Sequence, residues 1–149
     1  MKGMVVTMKV RDIMTKSVAS LRSDDSIEHA AQLMKQYNCG SLPVCTQDKL
    51  IGIVTDRDIA VRSVASGEAS SHKRVGDIMT RDVVFASPET DVDDAARLMS
   101  DRQIRRLPVV ENNSLIGIVA LGDISLEPSC QECAEDALKN ISMPGTSIR

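Results

Sequence analysis

Apolar residues recur along this chain with two different spacings, which predict helices in some segments and strands in others. A helical spacing of three or four residues joins apolar positions within 27–37 and again within 92–99. Asp25 and Thr90 are the predicted N-caps of these two helices. Two pairs of mostly apolar segments follow these helices: SLPVC and LIGIVT in the first half of the chain, and RLPVV and LIGIVA in the second. Polar residues separate the two segments of each pair. These runs predict two β-hairpins, each with one buried face.

The whole pattern occurs twice, at a constant offset of 65 residues. VRDIMT at 10–15 matches VGDIMT at 75–80, and LIGIV at 50–54 matches LIGIV at 115–119. Without any gap, 20 of 50 aligned positions are identical, which chance does not produce. Each copy predicts strand, helix, strand, strand and helix. We therefore expect a mixed α/β (α+β) fold in which the two sheets pack face to face with pseudo-twofold symmetry.

The repeat also sets the expected domain boundaries. We predict a first repeat over 8–60, a linker over 61–73, a second repeat over 74–125 and a helical tail with a frayed end over 126–149. Because each copy alone would leave an apolar sheet face open, the two repeats should form one folded module. The helix after Asp58 should turn four residues toward the core: Ile59, Ala60, Val64 and Ala65.

The composition is that of a soluble globular protein and argues against several classes of function. With 42% hydrophobic residues and a net charge of −3, the chain has no basic field for nucleic acid, and one Tyr, one Phe and no Trp offer few stacking platforms. No apolar run approaches the roughly 20 residues of a membrane span, and the N-terminus has no signal-peptide core. We expect a cytoplasmic protein with reduced cysteines, bound to neither nucleic acid nor membrane.

The repeated motifs resemble those of the cystathionine β-synthase (CBS) domain pair, also called a Bateman module. The resemblance rests on four motifs: the DIMT opening, the Ala-Ala-x-Leu-Met helix, the LPV strand and GIVTDRD at 52–58. It implies a stand-alone, bacterial-type regulatory protein that binds an adenine nucleotide or adenosyl compound in the clefts between the repeats. The compounds of this class are AMP, ADP, ATP, S-adenosylmethionine and, in some members, NAD-type dinucleotides. The resemblance also implies a homodimer that regulates a separate target protein.

The family's ligand motif is a glycine, a hydroxyl residue and an aspartate at three-residue spacing, which Gly52, Thr55 and Asp58 match. The Asp58 carboxylate can accept hydrogen bonds from both ribose hydroxyls, and the Thr55 hydroxyl can contact a sugar or phosphate oxygen. In the second repeat Asp123 matches, but Ala120 replaces the hydroxyl residue. One lost hydrogen bond costs about 0.5 to 1.5 kcal/mol, so we expect the Thr55/Asp58 site to bind better.

The resemblance further implies which residues flank the ligand. The backbone around Cys39, Gly40, Ser41 and Pro43, together with the segment at Val18, would lie beside the adenine. Aliphatic side chains would enclose that ring, because the chain has few aromatic residues.

Phosphate groups need cations, and the best-placed candidates are Arg105 and Arg106, which precede the second LPV strand. An arginine can hold a phosphate with two parallel hydrogen bonds, which Gly40 and Ser41 at the matching positions of the first repeat cannot do. Arg57 and His72 are weaker candidates. The arginine pair is also consistent with two solvated side chains at the entrance of a strand.

Two further hypotheses remain open. Thr55 and Asp58 also have the spacing of a helix capping box, and with empty clefts the protein would be a scaffold for dimerisation or protein interaction. Cys130 and Cys133 form half of a tetrahedral zinc set, which would suit a redox or metal sensor if two chains each contributed two thiols. We expect no metal, no cofactor besides the regulatory ligand, and no catalytic residue, since no enzyme motif is present.

Overall fold

The computed structural model describes residues 8–67, 72–127 and 130–143. Its helices α1 to α6 are Ile27–Tyr37, Asp56–Asp58, Val75–Ile78, Val92–Arg102, Leu121–Ser125 and Gln131–Ser142. Its strands β1 to β4 are Ser41–Thr46, Lys49–Thr55, Arg106–Glu111 and Ser114–Ala120. A 3₁₀ turn, Val10–Asp12, precedes α1, and a π-helix, Ile59–Val64, continues α2. The order of these elements confirms the mixed α/β fold with a C-terminal helix.

Two parts of the predicted organisation, the middle of the linker and the end of the tail, lie outside the described residues. Within the described ranges, no helix combines the length and hydrophobicity that crossing a membrane requires.

The chain divides into two compact units whose boundaries differ from those of the sequence repeats. Unit 2 contains Val18–Val83 and the short segment Asn112–Leu115. Unit 1 contains the chain up to Ser17, the segment Val84–Glu111 and the chain from Ile116 onward. The opening DIMT motif of each repeat therefore packs in the unit that is built mainly from the other repeat.

In unit 2, the hairpin of β1 and β2 has a backbone neighbour on each edge. The two strands are antiparallel, with Ser41 opposite Thr55. Leu21 forms a parallel bridge on the β1 side, and Thr80 forms an antiparallel bridge with Ile53 of β2. The core of this unit collects apolar residues from the helices and both strands: Leu21, Ile27, Ala30, Met34, Leu42, Val44, Val54, Val75, Ile78 and Met79.

Unit 1 repeats this arrangement with β3 and β4. Ala86 forms a parallel bridge with Val109 of β3, and Thr15 forms an antiparallel bridge with Ile118 of β4. Helices α4, α5 and α6 contribute to the core of this unit, whose largest fully buried side chains are Met99, Leu107 and Ile124.

Helix α1 begins one residue later than predicted. Its N-cap is Ser26, whose hydroxyl accepts a hydrogen bond from the amide of His29 at 3.0 Å. Asp25 instead accepts from the amide of Arg22 at 2.8 Å and closes the preceding turn. The N-cap position of α4 is also one residue later than predicted, at Asp91, and Thr90 instead accepts a hydrogen bond from the amide of Ser87 at 3.0 Å. The prediction was wrong because an adjacent turn uses the side chain that helical spacing alone assigns to the cap.

The segment after α2 exposes most of the residues that helical spacing predicts to be buried. Ile59 is partly buried, but Ala60, Val64 and Ala65 are exposed and Ser63 is the buried residue. The amide of Ala65 donates to the carbonyl of Ala60, five residues earlier, as in a π-helix. This wider turn changes the angle between successive side chains, so an analysis based on 3.6 residues per turn assigns the wrong face.

Candidate functional site

Thr55 and Asp58 form a reciprocal capping box at the start of α2. The amide of Asp58 donates to the Thr55 hydroxyl oxygen at 2.9 Å, and the amide of Thr55 donates to Asp58 Oδ2 at 3.0 Å. Both motif residues therefore have a structural role in the protein alone. The Thr55 hydroxyl keeps its proton for donation, and the second carboxylate oxygen of Asp58 keeps its acceptor capacity.

Asp58 is a buried acid, with only 8% of its surface exposed. Its Oδ1 atom lies 3.7 Å from Nε of Arg62, one helical turn further on. Arg62 also donates to the backbone carbonyl oxygens of Ile78 and Met79 at 3.2 and 3.5 Å. The guanidinium thus joins the π-helix to the second DIMT motif and places a positive charge beside the Asp58 oxygen that the capping box does not use.

Gly40 and Ser41 lie next to the start of α2. Ser41 pairs with Thr55 across the hairpin, and the carbonyl of Gly40 accepts from the amide of Asp56 at 2.9 Å. A methyl group on Gly40 would lie 3.0 Å from the Asp56 carboxylate. The structure therefore brings together five polar or small residues of this site: Gly40, Ser41, Thr55, Asp56 and Asp58.

The remaining predicted residues of the first site also belong to unit 2. Pro43 is buried on β1, where its carbonyl accepts from the amide of Leu21 at 2.9 Å. Cys39 follows the end of α1 and is half-buried, while Arg57 is exposed. Val18 lies three residues before Leu21, which forms the bridge to β1.

The second motif lies in unit 1 and has only one half of the capping box. The amide of Ala120 donates to Asp123 Oδ2 at 3.2 Å, but Ala120 has no side-chain oxygen to accept in return. The carbonyl of Arg105 accepts from the amide of Leu121 at 2.8 Å, as Gly40 accepts from Asp56 in unit 2. Arg105 is exposed and Arg106 half-buried, so the predicted cations stand beside the second motif.

Gly52 has a packing role that accounts for its identity without a ligand. A methyl group there would lie 2.7 Å from the sulfur of Met79 and 2.9 Å from the carbonyl oxygen of Thr80. Gly117 meets the corresponding atoms of Met14 and Thr15, each at 2.8 Å. In each unit the glycine thus allows a DIMT segment to approach the strand.

Sequence reasoning missed two polar residues of the first site, Asp56 and Arg62. The signal for Arg62 was available, because an acid followed four residues later by an arginine is a favourable helical pair. Asp56 is revealed only by the hairpin register, which places it beside Gly40.

A separate cavity of about 410 Å³ lies in unit 1 and is lined by none of the predicted site residues. Its walls carry charges of both signs, from Arg11, Lys16, Asp12, Glu89 and Glu111.

A further cluster in unit 1 consists of Asp93, Cys130 and Cys133, whose ligand-type atoms lie within 4.8 Å of one another. Burial raises the pKa of the Cys133 thiol to about 12, and the hydrogen bond and negative charge of Asp93 act in the same direction. The sequence had connected the two cysteines with each other but not with Asp93.

Comparisons with known proteins agree with the repeated fold and motifs. A family model described as the CBS domain matches residues 10–64 and again 75–128. The CBS domain-containing protein YhcV of Bacillus subtilis is 45% identical over 133 residues, which are 89% of this chain and 94% of YhcV.

Two solved structures are similar at the level of the fold. Hypoxic Response Protein I, crystallised with two coordinated zinc ions, has a TM-score of 0.75 and 30% identity, with 80% of this chain and 98% of that chain covered. The CBS domain pair of protein MJ0100, in complex with 5′-methylthioadenosine and S-adenosyl-L-methionine, has a TM-score of 0.72 and 35% identity. That match covers 81% of this chain and 95% of the other.

The tandem repeats, each with a hairpin and a motif ending in aspartate, define a CBS domain pair. The chain belongs to the CBS domain family and is similar to small members such as YhcV. Because nearly the full length of YhcV is matched, that relative has little room for a catalytic domain besides its CBS pair.

Proposed function

We propose that this protein is a regulatory module that binds an adenosyl compound through Thr55 and Asp58. The observation that carries the proposal is the state of Asp58. The acid is buried, one oxygen holds the capping box, and the other oxygen faces Arg62 at 3.7 Å. An oxygen held in this way can accept hydrogen bonds from ribose hydroxyls. The relative MJ0100 supports the ligand class, since its CBS pair was crystallised with two adenosyl compounds.

The charges near the two motifs support different ligand preferences. Asp56 adds a carboxylate beside Gly40 in the first site, which disfavours a nearby polyphosphate. Arg105 and Arg106 flank the second motif and suit phosphate. We propose that the first motif prefers a neutral or cationic adenosyl compound such as S-adenosylmethionine, and that the arginines serve a phosphorylated one.

The test is a thermal-shift panel of AMP, ADP, ATP, S-adenosylmethionine, NADH and a GTP control. A ligand at a hundredfold over its Kd adds about 2.7 kcal/mol, which raises the Tm of a domain of this size by roughly 5 to 11 °C. Asp58→Asn should remove most of the ligand-induced rise. The amide oxygen of the new side chain can still accept from the Thr55 amide, and the backbone amide of residue 58 still donates to the Thr55 hydroxyl, so the variant can keep both bonds of the capping box.

The matched control is Asp123→Asn, the same change in the motif that lacks the hydroxyl. The first site is supported if this variant keeps the rise that Asp58→Asn loses. An equal loss in both variants, or a rise of equal size with GTP, contradicts it. For the arginines, replacing both Arg105 and Arg106 by Ala should weaken ATP binding more than S-adenosylmethionine binding.

A scaffold without ligand is the second candidate, and the capping box is the observation that favours it. The hydrogen bonds between Thr55 and Asp58 stabilise the start of α2 with no ligand present. If no adenosyl compound shifts the Tm while Thr55→Ala costs about 1 kcal/mol of stability, the capping role is the whole function of the motif.

Exposed apolar side chains at equivalent places support a homodimer. Val61 is 51% exposed and Leu126, its counterpart 65 residues later, is 78% exposed. Val64 and Met143 are also exposed. We propose that a second copy of the chain covers these side chains. Light scattering should give twice the chain mass of 16.2 kDa, and Val61→Lys with Leu126→Lys should shift it toward the monomer.

A further inference from the structure

The cluster of Asp93, Cys130 and Cys133 has the donor set of a metal site. One ligand atom from each residue lies within 4.8 Å of the other two, and the Cys133 sulfur is 3.5 Å from Asp93 Oδ1. In a tetrahedral zinc site with bonds of roughly 2.0 to 2.3 Å, neighbouring ligand atoms stand about 3.3 to 3.8 Å apart. Small side-chain movements would therefore bring these three atoms onto one ion.

Two helices hold the cluster from the same end. Asp93 lies in the first turn of α4, Cys133 lies in the first turn of α6, and Cys130 is the N-cap of α6. The two helices run side by side in the same direction, because Ser100 contacts Asn140 and Gln103 contacts Met143 at the same sequence separation.

Specific contacts keep these helices in register. The Asn140 side-chain amide donates to the Ser100 hydroxyl at 2.6 Å, and the Gln103 amide donates to the carbonyl oxygens of Asn140 and Met143 at 3.0 and 3.2 Å. Ala134 and Ala137 are buried, and small side chains permit close packing. The donor atoms are therefore assembled by the fold itself, which lowers the entropic cost of binding an ion.

The donor chemistry selects the kind of ion. Two sulfur ligands favour thiophilic cations such as Zn²⁺ over Mg²⁺ or Ca²⁺, and a carboxylate oxygen is a common third ligand. The burial differs among the donors: Cys130 is buried, Cys133 is half-buried and Asp93 is exposed. An ion held here would have one side toward solvent, where water can occupy the fourth position.

We propose that Asp93, Cys130 and Cys133 bind one Zn²⁺ ion, with water as the fourth ligand. Both cysteines release their protons to solvent on binding, so the two thiolates and the carboxylate carry three negative charges against the two positive charges of the ion. The site is independent of the adenosyl proposal, because all three donors belong to unit 1 and none belongs to the Thr55/Asp58 motif.

The experiment uses the full chain, reduced and freed of metal, titrated with Zn²⁺ against a chromophoric chelator. The expected result is one Zn²⁺ per chain. Cys133→Ser removes a direct ligand and should weaken binding by more than the roughly 10- to 100-fold that loss of an outer partner costs. Asp93→Asn should weaken it less. Co²⁺ in place of Zn²⁺ should show thiolate charge-transfer absorption that Cys133→Ser reduces.

Two matched controls show that the effect belongs to this cluster. Asp94→Asn removes the neighbouring carboxylate, which pairs with Arg97 at 3.5 Å, and should leave the affinity unchanged. Cys45→Val removes a thiol from unit 2 and introduces the residue found at the same place in the second repeat, Val110. Equal losses in the controls and in Cys133→Ser would overturn the proposal.

A measurement on the unaltered protein covers the case in which a variant does not fold. In weakly buffered solution, Zn²⁺ should release protons from the Cys130 and Cys133 thiols as it binds, while Mg²⁺ should release none. No proton release, or no binding stronger than that of Asp93→Asn with Cys133→Ser combined, would overturn the site. A disulfide between Cys130 and Cys133 in air, with no Zn²⁺ bound after reduction, would show a redox pair instead.

Discussion

At the start of α2, Thr55 and Asp58 bond each other's backbone amides, whereas at the start of α5 only Asp123 bonds back, to the amide of Ala120. The position of Arg62, which stands 3.7 Å from Asp58, is occupied in the second repeat by Glu127. The backbone of the motif is thus conserved between the repeats while its polar side chains differ.

The surroundings of the two motifs differ in the same way. Gly40 and Asp56 flank the first motif, and Arg105 and Leu121 flank the second, although the same backbone hydrogen bond joins each pair. The shared features are those that packing requires, and the divergent ones are the charges and hydroxyls that a ligand would meet. The comparison teaches that one fold can present two chemically different sites, because backbone geometry places few demands on exposed side chains.

The largest expected effect comes from a feature that both repeats share. Gly52→Ala should lower the free energy of unfolding by about 1 to 3 kcal/mol, because the new methyl group would stand 2.9 Å from the carbonyl oxygen of Thr80. Gly117→Ala should cost a similar amount, for the same reason at Thr15. Urea denaturation measures both changes.

Gly122→Ala is the control for these glycine substitutions. A methyl group there meets no atom within 4 Å, and alanine favours a helix over glycine by up to about 1 kcal/mol. The variant should be neutral or more stable. If it lost as much stability as Gly52→Ala, the close approach of the DIMT segments would not explain the two motif glycines.

The second prediction converts the first motif into the form of the second. Thr55→Ala removes the hydroxyl that accepts from the Asp58 amide, so it should cost about 0.5 to 2 kcal/mol of stability. The reverse change, Ala120→Thr, should add up to about 1 kcal/mol by completing the box with Asp123. Urea denaturation measures both changes in the free energy of unfolding. If the two changes had the same sign, the missing hydroxyl would not explain the difference between the motifs.

The sequence predicted the features that depend on local pattern. The offset of 65 residues and the hairpins follow from spacing alone, whereas Thr55 and Asp58 were singled out as ligand residues by the resemblance to the CBS motif. Gly52 was also singled out, as part of the ligand motif. The structure adds a packing reason for this glycine, the close approach of the Thr80 carbonyl, which the sequence did not reveal.

Other features depend on which segments meet in space. Both repeats carry a DIMT segment of the same apolar character, so spacing cannot tell which hairpin each one joins. The structure pairs Thr15 with β4 and Thr80 with β2. Asp93 and Cys133 lie far apart in the chain, and only the packing of α6 on α4 brings them together. Pattern analysis also assumes 3.6 residues per turn, which the π-helix after Asp58 does not have.

The third prediction concerns the arginine that only the first repeat has. Arg62→Ala should cost about 0.5 to 1.5 kcal/mol, because it removes an ion pair with Asp58 and hydrogen bonds to the carbonyls of Ile78 and Met79. The ion pair contributes the smaller part, since the Arg62 side chain is half exposed and salt screens it.

A double-mutant cycle separates these contributions. Arg62→Ala combined with Asp58→Asn should give a coupling energy of about 0.3 to 1 kcal/mol that decreases in high salt. Arg62→Lys should keep the charge but recover only part of the stability, because lysine lacks the planar fork. A coupling of zero would mean that Arg62 does not stabilise Asp58, and the charge difference between the two motifs would then have no energetic effect at this position.

The smallest expected effect is at Cys45, where the second repeat has Val110. Cys45→Val is close to volume-conserving and should change stability at pH 7 by less than about 1.5 kcal/mol. Burial, and then the charge of Asp48, raise the pKa of the Cys45 thiol above its ordinary 9.0. The folded state therefore holds this proton more tightly than the unfolded state does. Its contribution to stability is complete below pH 9 and is lost as the pH rises through the folded pKa. Between pH 8 and pH 10, the urea midpoint should decrease more for the wild type than for Cys45→Val. Equal decreases would mean that the Cys45 thiol does not contribute to the loss of stability at alkaline pH.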